Sequence, residues 1–185
     1  MLSGKVTVTG SAHDRQGRLR KPSAEVVELL AHLQRKIEAH ATDMAMVRAD
    51  LDPDASCLLV SYGITARAAR QAVGMLRQEG FPISFLQIQT LFPVPTEALQ
   101  HAVAGIRTVF VAEENLTGQY RAVLAPLLNG RRLLGINKIG SMISPSEIVR
   151  AIRRAGGTIP RGDWPGEHPP ESEVRELPRA RRVEA

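Results

Sequence analysis

The feature that most restricts what this chain can fold into is the stretch RTVFVAEENLTGQYRAVL, from Arg107 to Leu124. It begins as a run of β-branched and aromatic residues, breaks into Glu113, Glu114 and Asn115, and passes a step at Thr117 and Gly118. It then resumes with apolar residues at Tyr120, Val123, Leu124 and Leu127 at helical spacing. The pattern predicts a buried strand, a polar turn and a helix. In an open α/β sheet, ligands and partners are met at the carboxyl ends of the strands, so Glu113, Glu114 and Asn115 stand where function is expected. The alternative is that the two carboxylates only cap strand and helix ends, since a carboxylate near a helix N-terminus is itself stabilising by about 0.3–1 kcal/mol.

The remaining pattern agrees with such a sheet. Apolar runs at Cys57 to Tyr62, Pro82 to Ile88, Arg107 to Ala112 and Leu133 to Ile139 predict strands. They alternate with helical segments containing Ala69, Ala72, Val73 and Leu76, then Leu99 and Val103, then the segment after Gly118, which Pro126 should end. The final helix is announced by Ser144, Pro145 and Glu147: an N-cap serine, a proline at the first helical position and a glutamate that completes a capping box. Ile148, Val149 and Ile152 supply its buried face, and Gly156 and Gly157 stop it. Strands alternating with helices predict an α/β fold, a three-layer open, mostly parallel sheet with helices on both faces. Helix N-termini near Thr65, Thr96, Thr117 and Ser144 would share one edge and could receive an anionic group. Neither the G-x-G-x-x-G fingerprint nor the G-x-x-x-x-G-K-[ST] loop is present, which weighs against an autonomous nucleotide site.

Outside this core the chain is less regular. Val6 and Val8 suit a short edge strand, and Thr9 to Gly17 reads as a loop in which Asp14 hydrogen-bonds the backbone ahead of Gly17. His13 and Asp14 alone do not fill a metal's coordination. A helix is expected from Ser23 to about Thr42, with Val26, Leu29, Leu30, Leu33 and Ile37 in one stripe, long enough to pack on a neighbouring domain or subunit as well as on its own core. Residues 43–55 are acidic and polar and mark a boundary. The expected organisation is therefore 1–54, a loop and long packing helix; 55–157, the α/β domain; and 158–185, a proline-rich charged tail, largely disordered or laid along a partner, with Trp164 as its anchor.

Composition removes several function classes. The net charge of +5, from 24 Lys and Arg against 19 Asp and Glu, is spread along the chain. With no recognition helix and few aromatics for stacking, no nucleic-acid partner is expected. No apolar run reaches the roughly 18 residues that span a bilayer, and no leader-like segment opens the chain, so no membrane is expected and a cytoplasmic location is. The one cysteine, Cys57, opens a buried strand, where a thiol is usually inert packing.

Five segments together resemble a known family: Val8 to Asp14 with Gly17, Leu59 to Gly63, Gln89 to Pro95, Val111 to Asn115 with Gly118 and Gln119, and Asn137 to Gly140. In this order they resemble the C-terminal domain of the alpha subunit of 2-oxoacid:ferredoxin oxidoreductases, of the 2-oxoglutarate type, which is similar to the C-terminal domain of transketolase. The resemblance implies a complex that uses thiamine diphosphate, magnesium, an iron–sulfur cluster and coenzyme A. It implies as partners the other alpha-subunit domains, the beta subunit and, through the complex, ferredoxin. A single cysteine cannot hold a four-cysteine cluster, and the family's thiamine-contacting domain has no counterpart here, so no cofactor is expected on this chain alone. The resemblance implies either a separately encoded or truncated C-terminal piece that docks onto other subunits, catalytically inactive by itself, or a fragment with no partner left. Its interface or anion-edge candidates are Glu113, Glu114, Asn115, Gly118, Gln119, Pro93, Pro95 and Lys138, with His13 and Asp14 from the preceding loop. The alternative is a free-standing α/β module that binds an anionic metabolite at the same edge.

Overall fold

The computed structural model describes residues 12–14, 16–20 and 23–156, and the backbone of 174–176. The expected strand at Val6 and Val8, and Trp164, lie outside the described residues. The chain divides into two compact units, Met1–Met44 and Ala45–Ala185.

In the first unit, Asp14 is buried, and its Oδ1 accepts from the amides of Gln16 at 3.0 Å and Arg18 at 2.9 Å. Its Oδ2 accepts from Arg20 Nε at 3.1 Å, so the loop closes as the local turn expected from the sequence. The Arg18 amide does most to hold the Asp14 carboxyl below its ordinary pKa, against the opposing effect of burial. Helix α1, Ala24–Ala39, starts at Ser23, whose hydroxyl accepts from Val26 N at 3.4 Å, and a short helix α2, Ala41–Met44, follows. Of the apolar stripe on α1, Val26 is buried, whereas Leu30 and Leu33 are exposed.

The second unit is a sheet with helices on both faces. Its elements are β1 (Val47–Asp50), β2 (Cys57–Tyr62), α3 (Thr65–Gln78), β3 (Ser84–Ile88), α4 (Thr96–Ala102), β4 (Thr108–Glu113), α5 (Gln119–Leu124), β5 (Arg132–Asn137), α6 (Pro145–Gly156) and β6 (Val174–Glu176). The strand order is β1-β3-β2-β4-β5-β6. The pairs β2–β3, β2–β4 and β4–β5 are parallel, and the edge strands β1 and β6 are antiparallel. Side chains alternate between two cores, as the two-residue period of a strand requires. Leu59, Phe110, Leu134 and Ile136 pack with Ala69, Leu76, Ile148 and Ile152 of α3 and α6. Leu58, Val60, Val109 and Val111 pack with Leu99, Tyr120, Leu124 and Leu128 on the α4 and α5 side. The three-layer, mostly parallel architecture read from the sequence is the one observed.

Three details differ from the sequence reading. Residues 43–55 contain strand β1 rather than only a polar boundary. Its pattern was hidden because only Val47 in Val47–Asp50 is large and apolar, and an edge strand favours charges that discourage further pairing. Arg77 of α3 fastens it, donating to Asp50 Oδ1 at 2.9 Å and to the carbonyls of Asp50 and Ile83 at 3.1 Å and 2.8 Å. No strand was read in the tail, yet Val174–Glu176 pairs with β5, whose outer edge would otherwise leave backbone groups unpaired. Val123, expected on the apolar face of α5, is exposed, while Pro126 ends α5 as expected and a 3-10 turn follows at Ala125–Leu127.

Two glycines mark opposite demands. A Cβ on Gly135 in β5 would meet Asn137 Oδ1 and would stand 2.8 Å from Arg121 Nη1, whereas one on Gly74 in α3 meets nothing within 4 Å. Gly135→Ala should therefore destabilise the protein by about 1–3 kcal/mol through overpacking. Gly74→Ala should stabilise it by about 0.5–1 kcal/mol by restricting the unfolded chain. Urea unfolding of the two variants beside the parent checks both signs.

Candidate functional site

The chain runs from β2 outward to β3, then returns past β2 to β4 and β5, so the direction of winding reverses between β2 and β4. In open α/β sheets the crevice at the carboxyl ends of such a strand pair is where ligands bind. Tyr62 ends β2 and Glu113 ends β4. Glu113 has no exposed surface, and its carboxylate is fully engaged. Its Oε2 accepts from Tyr62 Oη at 3.1 Å, Asn115 Nδ2 at 2.7 Å and Tyr120 N at 2.9 Å, and its Oε1 accepts from Arg121 N at 3.0 Å. Asn115 Oδ1 in turn accepts from the amides of Gly118 at 2.7 Å and Gln119 at 3.1 Å. The N-terminal amides of α5 are thus met by the chain's own side chains, and the crevice is occupied by them.

The surrounding groups fit this closed arrangement. The rings of Tyr62 and Tyr120 meet edge to face with centroids 5.2 Å apart. Burial, with the Tyr62 phenol nearby, pushes the Tyr120 phenol up to about 12, and burial followed by the charge of Glu113 also raises Tyr62. Arg121 is buried; burial lowers its pKa, and the Glu113 charge opposes that shift. Its side chain lies where Gly118 and Gly135 lack a Cβ: an added Cβ would stand 2.8 Å from Arg121 Nε at the first and 2.8 Å from Nη1 at the second. Gly118 also has φ of 73°, a left-handed conformation that favours glycine.

Glu113 therefore has no surface left for a partner or an anion, a correction to its place among the interface candidates. Buried at the end of β4 under α5, it acts as the capping group that was the other reading of these residues. Gly118 is also buried, making room for Arg121. Asn115 is half-buried and turned inward by its hydrogen bonds. Glu114 is exposed, with Oε1 accepting from Ile143 N at 3.1 Å, and Gln119 is exposed. Pro95 is buried at the N-cap of α4, and Pro93 is half-buried beside exposed Phe92. Lys138 Nζ donates to Glu147 Oε1 at 2.8 Å and to the Met142 carbonyl at 3.0 Å. His13 and Asp14 belong to the other unit. Sequence reasoning did not pick out Tyr62, Tyr120 or Arg121 as members of the Glu113 network, although Glu147 stands where the capping box was read; the helical spacing that marks Tyr120 as core carries no sign of its hydrogen bonds.

Parts of this edge that an anionic cofactor group would need are already in use. Two of the helix N-termini at this edge already hold carboxylates: Glu113 at α5, and Glu147 at α6, whose Oε2 accepts from Ser144 N at 2.7 Å. Among the described residues no group of three or more His, Cys, Asp or Glu side chains could hold a metal ion. Cys57, the single cysteine, has its thiol pKa raised by burial, against the weaker pull of Ser56 and nearby arginines.

Two stability measurements test the network. Glu113→Gln places an NH2 group among donors and should cost about 1–3 kcal/mol, whereas Glu114→Gln should stay within about 1 kcal/mol, as read from denaturant midpoints. Burial works to raise the pKa of Glu147, but Lys138 and Ser144 outweigh it and hold the carboxyl below its ordinary value. A depressed carboxyl pKa stabilises the fold above its unfolded pKa of about 4.3, and that contribution is lost as pH falls through the folded value. Glu147→Gln should therefore narrow the difference in unfolding free energy between neutral pH and roughly pH 3, which denaturant unfolding at the two pH values beside the parent checks.

The sequence matches the family described as pyruvate:ferredoxin oxidoreductase core domain II over residues 55–161. It is similar to 2-oxoacid:ferredoxin oxidoreductase 2, subunit alpha, of Aeropyrum pernix, with 29% identity over 82% of this chain and 24% of that protein. It is also similar to 2-oxoglutarate synthase subunit KorA of Methanothermobacter marburgensis, with 31% identity over 80% of this chain and 40% of that protein. Among solved structures it resembles a 2-oxoglutarate:ferredoxin oxidoreductase from Magnetococcus marinus with 2-oxoglutarate, coenzyme A and succinyl-CoA bound. The TM-score is 0.67 at 20% identity, over 83% of this chain and 27% of that one, a likeness of fold. The match spans only about a quarter to two-fifths of the curated relatives' length. With its α/β layers and the family match over residues 55–161, the chain belongs to the pyruvate:ferredoxin oxidoreductase core domain II family.

Proposed function

We propose that the chain is the structural and assembly domain of the alpha subunit of a thiamine diphosphate-dependent 2-oxoacid:ferredoxin oxidoreductase in the cytoplasm. In this reading it is inactive alone and completes the enzyme by docking onto the remaining alpha-subunit domains and the beta subunit. Ferredoxin is met through the assembled complex. Thiamine diphosphate, magnesium, the iron–sulfur cluster and coenzyme A are held mainly by those partners. 2-Oxoglutarate is the first 2-oxoacid to test, because both the KorA relative and the Magnetococcus structure are named for it.

The observation that carries this reading is the occupied crevice. Where a doubly wound sheet would receive a ligand, Glu113 accepts from Tyr62, Asn115 and the α5 backbone, so the site supports the fold rather than a substrate. An anionic metabolite would have to displace the fold's own carboxylate from the amides of Tyr120 and Arg121, which works against the free-standing metabolite-binding module.

The tagged chain, co-expressed with the other polypeptides of the oxidoreductase from its source organism, should co-elute with them in size-exclusion chromatography. The pure chain should show no 2-oxoacid oxidation and no change in melting temperature with 2-oxoglutarate or coenzyme A. Elution alone, together with a melting shift on adding either compound, would favour the metabolite-binding module, since a ligand that binds only the native state raises its stability.

A further inference from the structure

We propose that the four loops following the parallel strands form an apolar docking surface whose occupant is an uncharged face of another domain of the same oxidoreductase. The proposal rests on the assembly reading above and assigns it a surface. Neighbouring strands lie about 4.8 Å apart, so the loops after β3, β2, β4 and β5 stand side by side along one edge of the sheet. Each loop presents at least one large apolar side chain to solvent. Leu91 and Phe92 follow β3, Ile64 follows β2, Leu116 follows β4, and Ile139 and Met142 follow β5, with exposures between 41% and 79%. Scattered exposed apolar residues are ordinary, but one or two in every successive loop along a single edge is the pattern of an interaction surface.

The charges of these loops point the same way. Residues 63–64, 89–95, 114–118 and 138–144 contain two charged side chains, Glu114 and Lys138. Glu114 accepts from Ile143 N, and Lys138 is paired with Glu147. The loop charges are thus turned to internal contacts, and the exposed apolar groups are left to meet a partner. An acidic or phosphorylated ligand finds no uncommitted lysine or arginine within the loops, whereas an uncharged apolar face finds a match.

The surface is also braced before any partner arrives. Tyr120 Oη donates to the Leu91 carbonyl at 3.4 Å, Asn137 Nδ2 donates to the Asn115 carbonyl at 3.2 Å, and Ile143 N donates to Glu114 Oε1 at 3.1 Å. These bonds tie the β3 loop to α5, the β4 loop to the end of β5, and the β4 and β5 loops to each other, which lowers the ordering cost of association. Phe92, between Leu91 and Pro93 and 79% exposed, suits the role of an aromatic anchor at the β3 end of this row of loops. Another domain of the same oxidoreductase is favoured as occupant because most of the relatives' length lies outside the match, which covers 24% and 40% of two of them.

The test compares the parent chain with the double variant Phe92→Asp/Ile139→Asp and with Arg107→Glu, a charge reversal just before β4 at the opposite end of the sheet. Each is co-expressed with the other polypeptides of the oxidoreductase, and the affinity of the purified partners is measured. Both Phe92 and Ile139 are exposed, so circular dichroism and melting temperature should be unchanged in the double variant. Its affinity should fall by roughly tenfold or more, because a carboxylate in an apolar contact loses its hydration without a partner, and that of Arg107→Glu should stay at the parent's level. If the parent binds and the double variant binds equally well, the docking surface is wrong while the assembly role stands. The same follows if the chain alone forms a homodimer that the double variant abolishes, since a second copy is then the occupant. A parent chain that binds none of the oxidoreductase's polypeptides overturns the assembly role and this surface together.

Discussion

A carboxylate without exposed surface is tolerated only where donors surround it, and the carboxyl end of this sheet is arranged around that requirement at Glu113. Its four hydrogen bonds join three elements: Tyr62 at the end of β2, Asn115 in the loop that follows β4, and the backbone at the start of α5. The same contacts stop strand β4 and start helix α5. They also fix where Asn115 turns, and through Asn115 the positions of Gly118 and Gln119. Removing the acceptor would leave several buried donors unmet at once, which is why its loss costs more than one ordinary hydrogen bond.

From that point the consequences spread outward. Arg121 follows directly from the helix start and lies over Gly135 of β5, so the absence of a side chain in one strand is tied to a guanidinium on the helix above it. Asn137 at the end of β5 donates back to the Asn115 carbonyl, and Glu114 accepts from Ile143 just before α6. At the start of α6, the Ser144 and Glu147 capping box, joined by Lys138, repeats the same solution, an internal carboxylate meeting helix amides. An edge built in this way has little left to offer an external anion. What it presents outward is largely apolar: Ile64, Leu91, Phe92, Leu116, Ile139 and Met142.

The relation between the two readings of Glu113 and Glu114 shows what a pattern of residue types can and cannot resolve. Adjacent residues at a strand end point to opposite sides, so one carboxylate is drawn in and the other is left out. The sequence marks the pair as important, and the spacing to Gly118 marks the coming helix. Neither indicates that Glu113 is completely buried, or that Phe92 rather than Pro93 and Pro95 is the most exposed side chain of its loop.

By itself, the sequence determined the class of fold, the four parallel strands, the capped starts of α1 and α6, the end of α5 at Pro126 and the likeness to the oxidoreductase family. These depend on local periodicity, on backbone donors near a cap and on proline's missing N–H, all readable over a few residues. Only the tertiary structure decided that Val47–Asp50 and Val174–Glu176 join the sheet, because pairing at an edge depends on which backbone groups another strand leaves open. It also decided that Tyr62, Glu113, Asn115 and Tyr120 close the crevice, and that Ile64, Phe92, Leu116 and Ile139 share one edge. Those groupings join residues tens of positions apart. They arise from strand order and from the reversal of winding between β2 and β4, neither of which any local stretch of sequence encodes.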